Sequence, residues 1–486
     1  MRLELTASED LLHVAEEELG TRGWSIVSDE AKRQTEFWYD TPGFAMLRWG
    51  ATLVRIDDAE WRLRVPARAG AQPRVLELAE ATTRPPSDIA DAVRPLVRSW
   101  EPQRVLTTEL TSRCLGLAYR DQTSLVTLSR EDRCVLDGPG VGRTLAIWVL
   151  EGDDQEACQL VEERLRAHGA QDGLVPVARF LGQAAQAPAD VSIPPIRRNA
   201  SAGSVLQKAL ARDVQELLFR LVGVPLEVDP EDVHRARVVT RRMRGLFRTF
   251  GKVLELESRT ALVDELAWLA DQLGPVRDAD VMLQRLERTS SMLSVEDQPA
   301  VQAIVARLID ERHGRWAELM ISLRLHRCVT LLDGLVALAS EGLPLAARAG
   351  DPAALVLAGH ARKRWRRLKR RVKQMPPDPS EADLHRFRIA AKRTRYGCET
   401  AALAVGEPAT LLAEKVAALQ DVLGAHQDAV VLRDWLRQVA RDSHDVALAA
   451  AELAGIEAAR VGATAAGWRD RWEAVDRKGL RRWMRA

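Results

Sequence analysis

The chain has little of what marks an enzyme or a secreted scaffold. Its five cysteines (Cys114, Cys134, Cys158, Cys328, Cys398) are scattered and odd in number, with no C-x-x-C pair. That pattern argues against a disulfide framework and a thiolate zinc site, and it fits a reducing compartment. No apolar run reaches the ~18 residues that a membrane span requires; residues 328–340 come nearest and are broken by Asp333. The opening MRLELTASED offers no apolar signal core. There is no G-x-x-x-x-G-K-[ST] phosphate loop, no H-E-x-x-H and no G-x-S-x-G. The expectation is a cytoplasmic protein with no membrane partner.

Net charge is also small, with 70 basic against 69 acidic residues, but the average conceals a split. Residues 1–195 carry 22 Lys+Arg and 31 Asp+Glu, a net of −9, and the remainder carries 48 and 38, a net of +10. An acidic half joined to a basic half is a statement about partners. A length of 486 residues exceeds one core, so two or three domains are expected.

Residues 1–182 read as mixed α+β. Glu60 to Val65, Ser124 to Ser129 and Thr144 to Leu150 alternate as strands do, and Asp154 to His168 has helical spacing closed by Gly169. Residues 183–203, rich in Ala, Pro and Ser, read as a linker. From Ser204 onward apolar residues recur at three- and four-residue steps, so this part is expected to be all helical, with one break at MPPDPS (375–380).

The helical part repeats itself. VHRARVVTRRMRG (233–245) matches LHRFRIAAKRTRY (384–396), with His234 and His385 separated by 151. LADQLGPVRDADV (269–281) matches LQDVLGAHQDAVV (419–431) at an offset of 150. Two motifs in the same order at nearly one offset indicate a tandem duplication, expected as two pseudo-symmetric bundles over about 204–350 and 351–486.

On a helix, His234, Arg237, Arg241, Arg244 and Arg248 step by 3, 4, 3 and 4, and so share one face. His385, Arg388, Lys392 and Arg395 do the same in the second copy, flanked by Arg393 as Arg242 flanks the first. A third basic segment, RKRWRRLKRRVK (362–373), puts Lys363, Arg366, Arg370 and Lys373 on one side and leaves Trp365, Leu368 and Val372 for packing. Such faces repel themselves unless a ligand supplies negative charge, and arginine suits bidentate contacts to phosphate. A histidine donates to phosphate in either protonation state, which fits the histidine that opens each stripe. Asp278 and Asp428, with Asp271 and Asp421, are expected to orient these arginines rather than to catalyse. Nucleic acid is the alternative polyanion. The stripes have few interleaved aromatics to stack bases, and tryptophans 468, 472 and 483 read as helix packing.

These paired H-R-x-R-x-x-x-[RK]-R-x-R helices, with the L-G-x-x-x-D-A segments at 273–279 and 423–429, make residues 204–486 resemble a CHAD domain. The resemblance implies two helical bundles whose basic surface binds inorganic polyphosphate, with no metal, no cofactor and no chemistry of its own. Polyphosphate granules are then one setting in which the protein would meet its ligand. Residues 1–182 are similar to the CYTH, or triphosphate tunnel, domain at Tyr39-Asp40-Thr41-Pro42, at Gly50, Leu53 and Arg55, and at Trp61 to Val65. That likeness implies a closed antiparallel β-barrel with Arg55, Arg62 and Arg64 as tunnel bases. The family's metal-binding pattern is depleted here. E-x-E-x-K becomes Arg2-x-Glu4-x-Thr6, Pro66 stands where a lysine belongs, and Ala146 and Trp148 occupy carboxylate positions. With only Glu4 and Glu77 left, the domain reads as a non-catalytic scaffold, the alternative being a tunnel-type triphosphatase. Its acidic charge would let it dock against the basic half.

Overall fold

The computed structural model describes residues 2–6, 24–66, 74–119, 124–152, 154–167, 171–172, 177–197, 199–227, 229–251, 253–255 and 259–485, the first strand and residues 24–29 as backbone only. The chain divides into two compact units, Met1–Asp190 and Val191–Ala486.

The first unit is built on one nine-stranded antiparallel sheet: β1 (Arg2–Thr6), β2 (Trp24–Asp40), β3 (Thr52–Ile56), β4 (Glu60–Val65), β5 (Arg74–Leu78), β6 (Gln103–Tyr119), β7 (Ser124–Asp137), β8 (Thr144–Gly152) and β9 (Gln171–Asp172). Their spatial order is β5-β4-β3-β2-β6-β7-β8-β1-β9. The sheet is curled as a half-barrel, and among the described residues no ladder joins β5 to β9, where the tunnel resemblance implies a closed barrel. Among the described residues the edge strand β9 spans Gln171–Asp172 and pairs with β1.

Alternation sets which side chains enter the core. In β4, Trp61, Leu63 and Val65 are buried while Glu60, Arg62 and Arg64 take the other face. Trp38, Val54, Ile56, Leu106 and Val135 pack with Leu47 of α1 (Ala45–Arg48), with Ala178, Phe180 and Leu181 of α4 (Ala178–Leu181), and with Ala185 of α5 (Gln183–Gln186). Helix α2 (Ser87–Val97) buries Ile89, Ala92, Val93 and Leu96; α3 (Gln155–Ala167) buries Cys158, Val161 and Leu165. Asp40, fully buried, accepts hydrogen bonds from the backbone N–H groups of Thr41 (2.6 Å), Met46 (3.0 Å) and Leu47 (2.9 Å). The tunnel-like motif residue thus holds the start of α1.

The second unit is helical: α6 (Ala202–Gly223), α7 (Glu231–Phe250), α8 (Arg259–Ser290), α9 (Gln298–Arg324), α10 (His326–Ser340), α11 (Ala353–Lys373), α12 (Glu381–Val405), α13 (Glu407–Asp442) and α14 (Ala447–Val475). The prolines of 375–380 end α11, and Ser380 with Asp383 forms a capping box that starts α12. Gly406, at φ 78°, takes a left-handed conformation suited to glycine between α12 and α13. One core joins Trp365 and Leu368 of α11, Phe387 of α12 and Leu419 of α13 to Trp468 of α14. Trp365 stacks on Trp472 at 5.4 Å, and Phe387 meets Trp468 edge-on at 5.3 Å, so these C-terminal tryptophans are packing residues. A second core joins Met282 and Leu286 of α8 and Ile304 of α9 to Leu432 and Leu436 of α13 and Leu453 of α14. Among the described residues no helix is long and apolar enough to cross a membrane.

Candidate anion-binding groove

Helices α7 and α12, which carry the two basic stripes, lie side by side and are backed by α8 and α13. The four helices enclose a groove of about 330 Å³. Into it come His234, Arg237 and Arg241 from α7, Arg277 and Asp278 from α8, His385, Arg388 and Lys392 from α12, and Gln427 and Asp428 from α13. Five cations that deprotonate only above neutrality in water, two histidines and two carboxylates share one cavity. Arg277 marks a difference between the two L-G-x-x-x-D-A segments in the sequence but is not among the binding residues expected from it. Its signal was the repeat itself, which aligns Arg277 with Gln427 beside the conserved-in-both-copies Asp278 and Asp428.

The glycine of each L-G-x-x-x-D-A segment has a different setting. A Cβ on Gly274 would sit 3.3 Å from Arg237 Nη2, so the bare glycine lets that guanidinium lie across α8, while Gly424 faces open space. One turn on, Asp278 takes a hydrogen bond from Arg237 Nη1 at 2.6 Å and fixes its direction. In the second copy His385 Nδ1 lies 3.0 Å from Gln427 Oε1. His426, adjacent in sequence, turns away, with Nδ1 3.3 Å from the Val461 carbonyl and from Thr464 Oγ1.

Other cations of the groove have no such partner. Arg241, Arg277, Arg388 and Lys392 make no hydrogen bond or ion pair with the described residues, and buried Arg241 Nε, Arg277 Nη1 and Arg388 Nε point at no acceptor. The arginines of the sheet contrast with this. Arg33 pairs with Glu109 at 2.7 Å, Arg62 with Glu77 at 2.7 Å, Arg130 with Asp132 at 3.1 Å and Arg133 with Glu36 at 2.9 Å, while Arg55 pairs with Asp58.

Crowding shows in the acid–base properties. Burial first, then the charges of Arg388, Arg241 and Arg237, push Lys392 down to about 7, with Asp428 opposing. Burial and the nearby Arg277 push His234 down to about 4. Burial lowers Arg388, with Arg241 and Arg237 adding to the effect, and burial raises Asp428. The groove is therefore a half-desolvated set of cations awaiting negative charge.

The remaining basic residues of the sequence reading fall elsewhere. Arg242 pairs with buried Asp213 at 2.8 Å and ties α7 to α6, while Arg395 pairs with Glu399 at 2.9 Å, one turn on within α12. Arg244 lies near Arg241, Arg248 and Asp271, continuing the α7 face. Arg370 and Arg393 line a separate groove between α11 and α12. Lys363, Arg366 and Lys373 are exposed on α11 and line neither groove.

Residues 208–437 match the family model of the CHAD domain, and a CHAD domain occupies that stretch of the chain. The chain is 29% identical, over 438 residues covering 83% of it and 81% of the relative, to the uncharacterized protein Rv2226 of Mycobacterium tuberculosis. MT2285, from a second strain of that organism, gives the same identity and coverage. Two solved structures are also similar. The CHAD domain from the plant Ricinus communis shares 26% identity, covers 61% of this chain and 97% of its own, and has a TM-score of 0.49. PptA from Streptomyces chartreusis shares 21% identity, covers 56% of this chain and 100% of its own, and has a TM-score of 0.48.

Proposed function

We propose that this protein binds inorganic polyphosphate in the groove between α7 and α12, as a binding rather than a catalytic protein. The observation that carries the reading is the set of inward cations without partners: Arg241, Arg277, Arg388 and Lys392 in one cavity of about 330 Å³. A linear polyanion satisfies several of them at once, and its phosphates accept from guanidinium N–H groups in the bidentate geometry that arginine favours. Asp278 directs Arg237, and His234 and His385 contribute ring N–H donors at the groove wall. The lining holds no Phe, Tyr or Trp ring on which a base would stack, which favours condensed phosphate over RNA or DNA.

The half-barrel of the first unit fits a degenerate CYTH-like domain. Trp148, buried to 1% exposure, fills a position where the tunnel family needs a carboxylate, and Arg62 is engaged by Glu60 at 2.9 Å and Glu77 at 2.7 Å. The test is a titration of the full chain with long-chain polyphosphate, beside an Arg241→Gln/Arg388→Gln variant with unchanged thermal unfolding. Loss of binding by at least a hundredfold supports the reading; unchanged affinity overturns it. Release of inorganic phosphate from triphosphate by the wild type would overturn the non-catalytic part.

A further inference from the structure

A second basic groove, of about 470 Å³, runs along α11 and α12 and is lined by Arg364, Arg367, Arg370, Arg371, Arg386 and Arg393 with Gln374, over a floor of Ile389 and Ala390. It has no carboxylate and no aromatic in its lining. Arg386 is held by Asp383 at 2.6 Å, and Arg364 donates to Thr249 Oγ1 of α7 at 2.9 Å. The side chains of Arg367, Arg370, Arg371 and Arg393 make no hydrogen bond or ion pair with the described residues. Six guanidinium groups around one cavity, four of them without a partner, form a cluster that repels itself until an anion enters.

The two grooves are connected by charge. Arg241, Arg244 and Arg248 follow one another at three- and four-residue steps along α7, starting inside the first groove and ending beside Thr249, where Arg364 arrives from α11. Each of these side chains feels the next: Arg244 is lowered by burial and then by Arg248 and Arg241, and Arg393 by burial and then by Arg248 and Arg367. We infer that the groove between α11 and α12 is a second condensed-phosphate site, reached by the same polyphosphate chain along Arg244 and Arg248, so that the protein favours long polymers over short ones. This extension rests on the polyphosphate reading of the first groove.

The experiment compares full-length wild type with an Arg367→Gln/Arg371→Gln/Arg386→Gln variant, each titrated with tripolyphosphate, with long-chain polyphosphate and with single-stranded RNA of equal charge, at two salt concentrations. The expected result is about tenfold weaker binding of the long polymer, with the tight tripolyphosphate site unchanged. The salt slope should fall by about 2, from roughly 0.7 per neutralised phosphate on a single strand. Unchanged affinity and slope for the long polymer would overturn the proposal while leaving the first groove intact. A second tripolyphosphate per chain that the variant loses, without change in long-chain affinity, would mean an independent short-anion site and overturn the continuous path. Equal weakening for RNA would make the groove a general polyanion surface and overturn the condensed-phosphate assignment. Failure of the wild type to bind the long polymer at all would overturn the reading of the first groove as well.

Discussion

Lys392 makes polyphosphate binding a proton-linked event. In the free protein its amine titrates at about 7, because burial and the neighbouring Arg388, Arg241 and Arg237 disfavour the charged form while Asp428 favours it. A bound polyanion reverses the balance and returns the amine toward its usual value of about 10.4, so binding takes up a proton wherever the free amine is neutral. With the free value at 7, the affinity falls about tenfold between pH 6 and pH 8, or about 1.4 kcal/mol. At pH 8 the uptake is about 0.9 proton per site. Calorimetric titration at pH 8 in two buffers of different ionisation enthalpy counts that proton directly. Long-chain polymer keeps the ligand's own titration small, because only its terminal phosphates titrate near neutral pH. His234, down at about 4, stays neutral across this window in the free protein. Lys392→Gln should flatten the pH dependence. An affinity constant from pH 6 to 9 in the wild type, or an equal slope in Lys392→Gln, would refute the argument.

Gly274→Ala is expected to separate stability from binding. Alanine gains up to about 1 kcal/mol in a helix interior, but its Cβ meets Arg237 Nη2 at 3.3 Å and shifts the guanidinium off Asp278. Unfolding in urea should be unchanged or slightly harder while polyphosphate affinity drops a few fold. Glu457, fully buried on α14, accepts from Arg285 Nε at 2.6 Å and from Thr289 at 3.0 Å, both on α8. Glu457→Ala leaves Arg285 and Arg460 facing each other without an anion and should cost about 3–5 kcal/mol, read as the shift of the urea midpoint.

The strand Glu60–Val65 and the helix starting after Ser380 were legible because each rests on a local rule, alternation in one and a cap with prolines before it in the other. The basic faces were legible for the same reason, as helical spacing fixes which residues share a face. What spacing does not give is the neighbour that each face meets. Arg242 belongs to the same helix as Arg241, yet it meets Asp213 of α6 and is consumed in an ion pair, whereas the Arg395–Glu399 pair lies within α12 at a four-residue step that spacing does give. On α11 the burial of Trp365 and Leu368 sets the helix rotation, and that rotation turns Arg364, Arg367 and Arg371 to the groove and leaves Lys363, Arg366 and Lys373 outside. Alternation along a strand fixes which face is buried but not whether the two edges of a sheet meet, and among the described residues no ladder joins β5 to β9.

The central claim is that the cations facing one another across α7 and α12 bind condensed phosphate. Its most direct test is the affinity of the full chain for long-chain polyphosphate, measured with equal-charge RNA as competitor, in the wild type and in Arg241→Gln/Arg388→Gln/Lys392→Gln. The account predicts tight, salt-dependent binding that RNA does not displace and that the folded triple variant loses. Equal displacement by RNA, or a triple variant that binds as the wild type does, would contradict it.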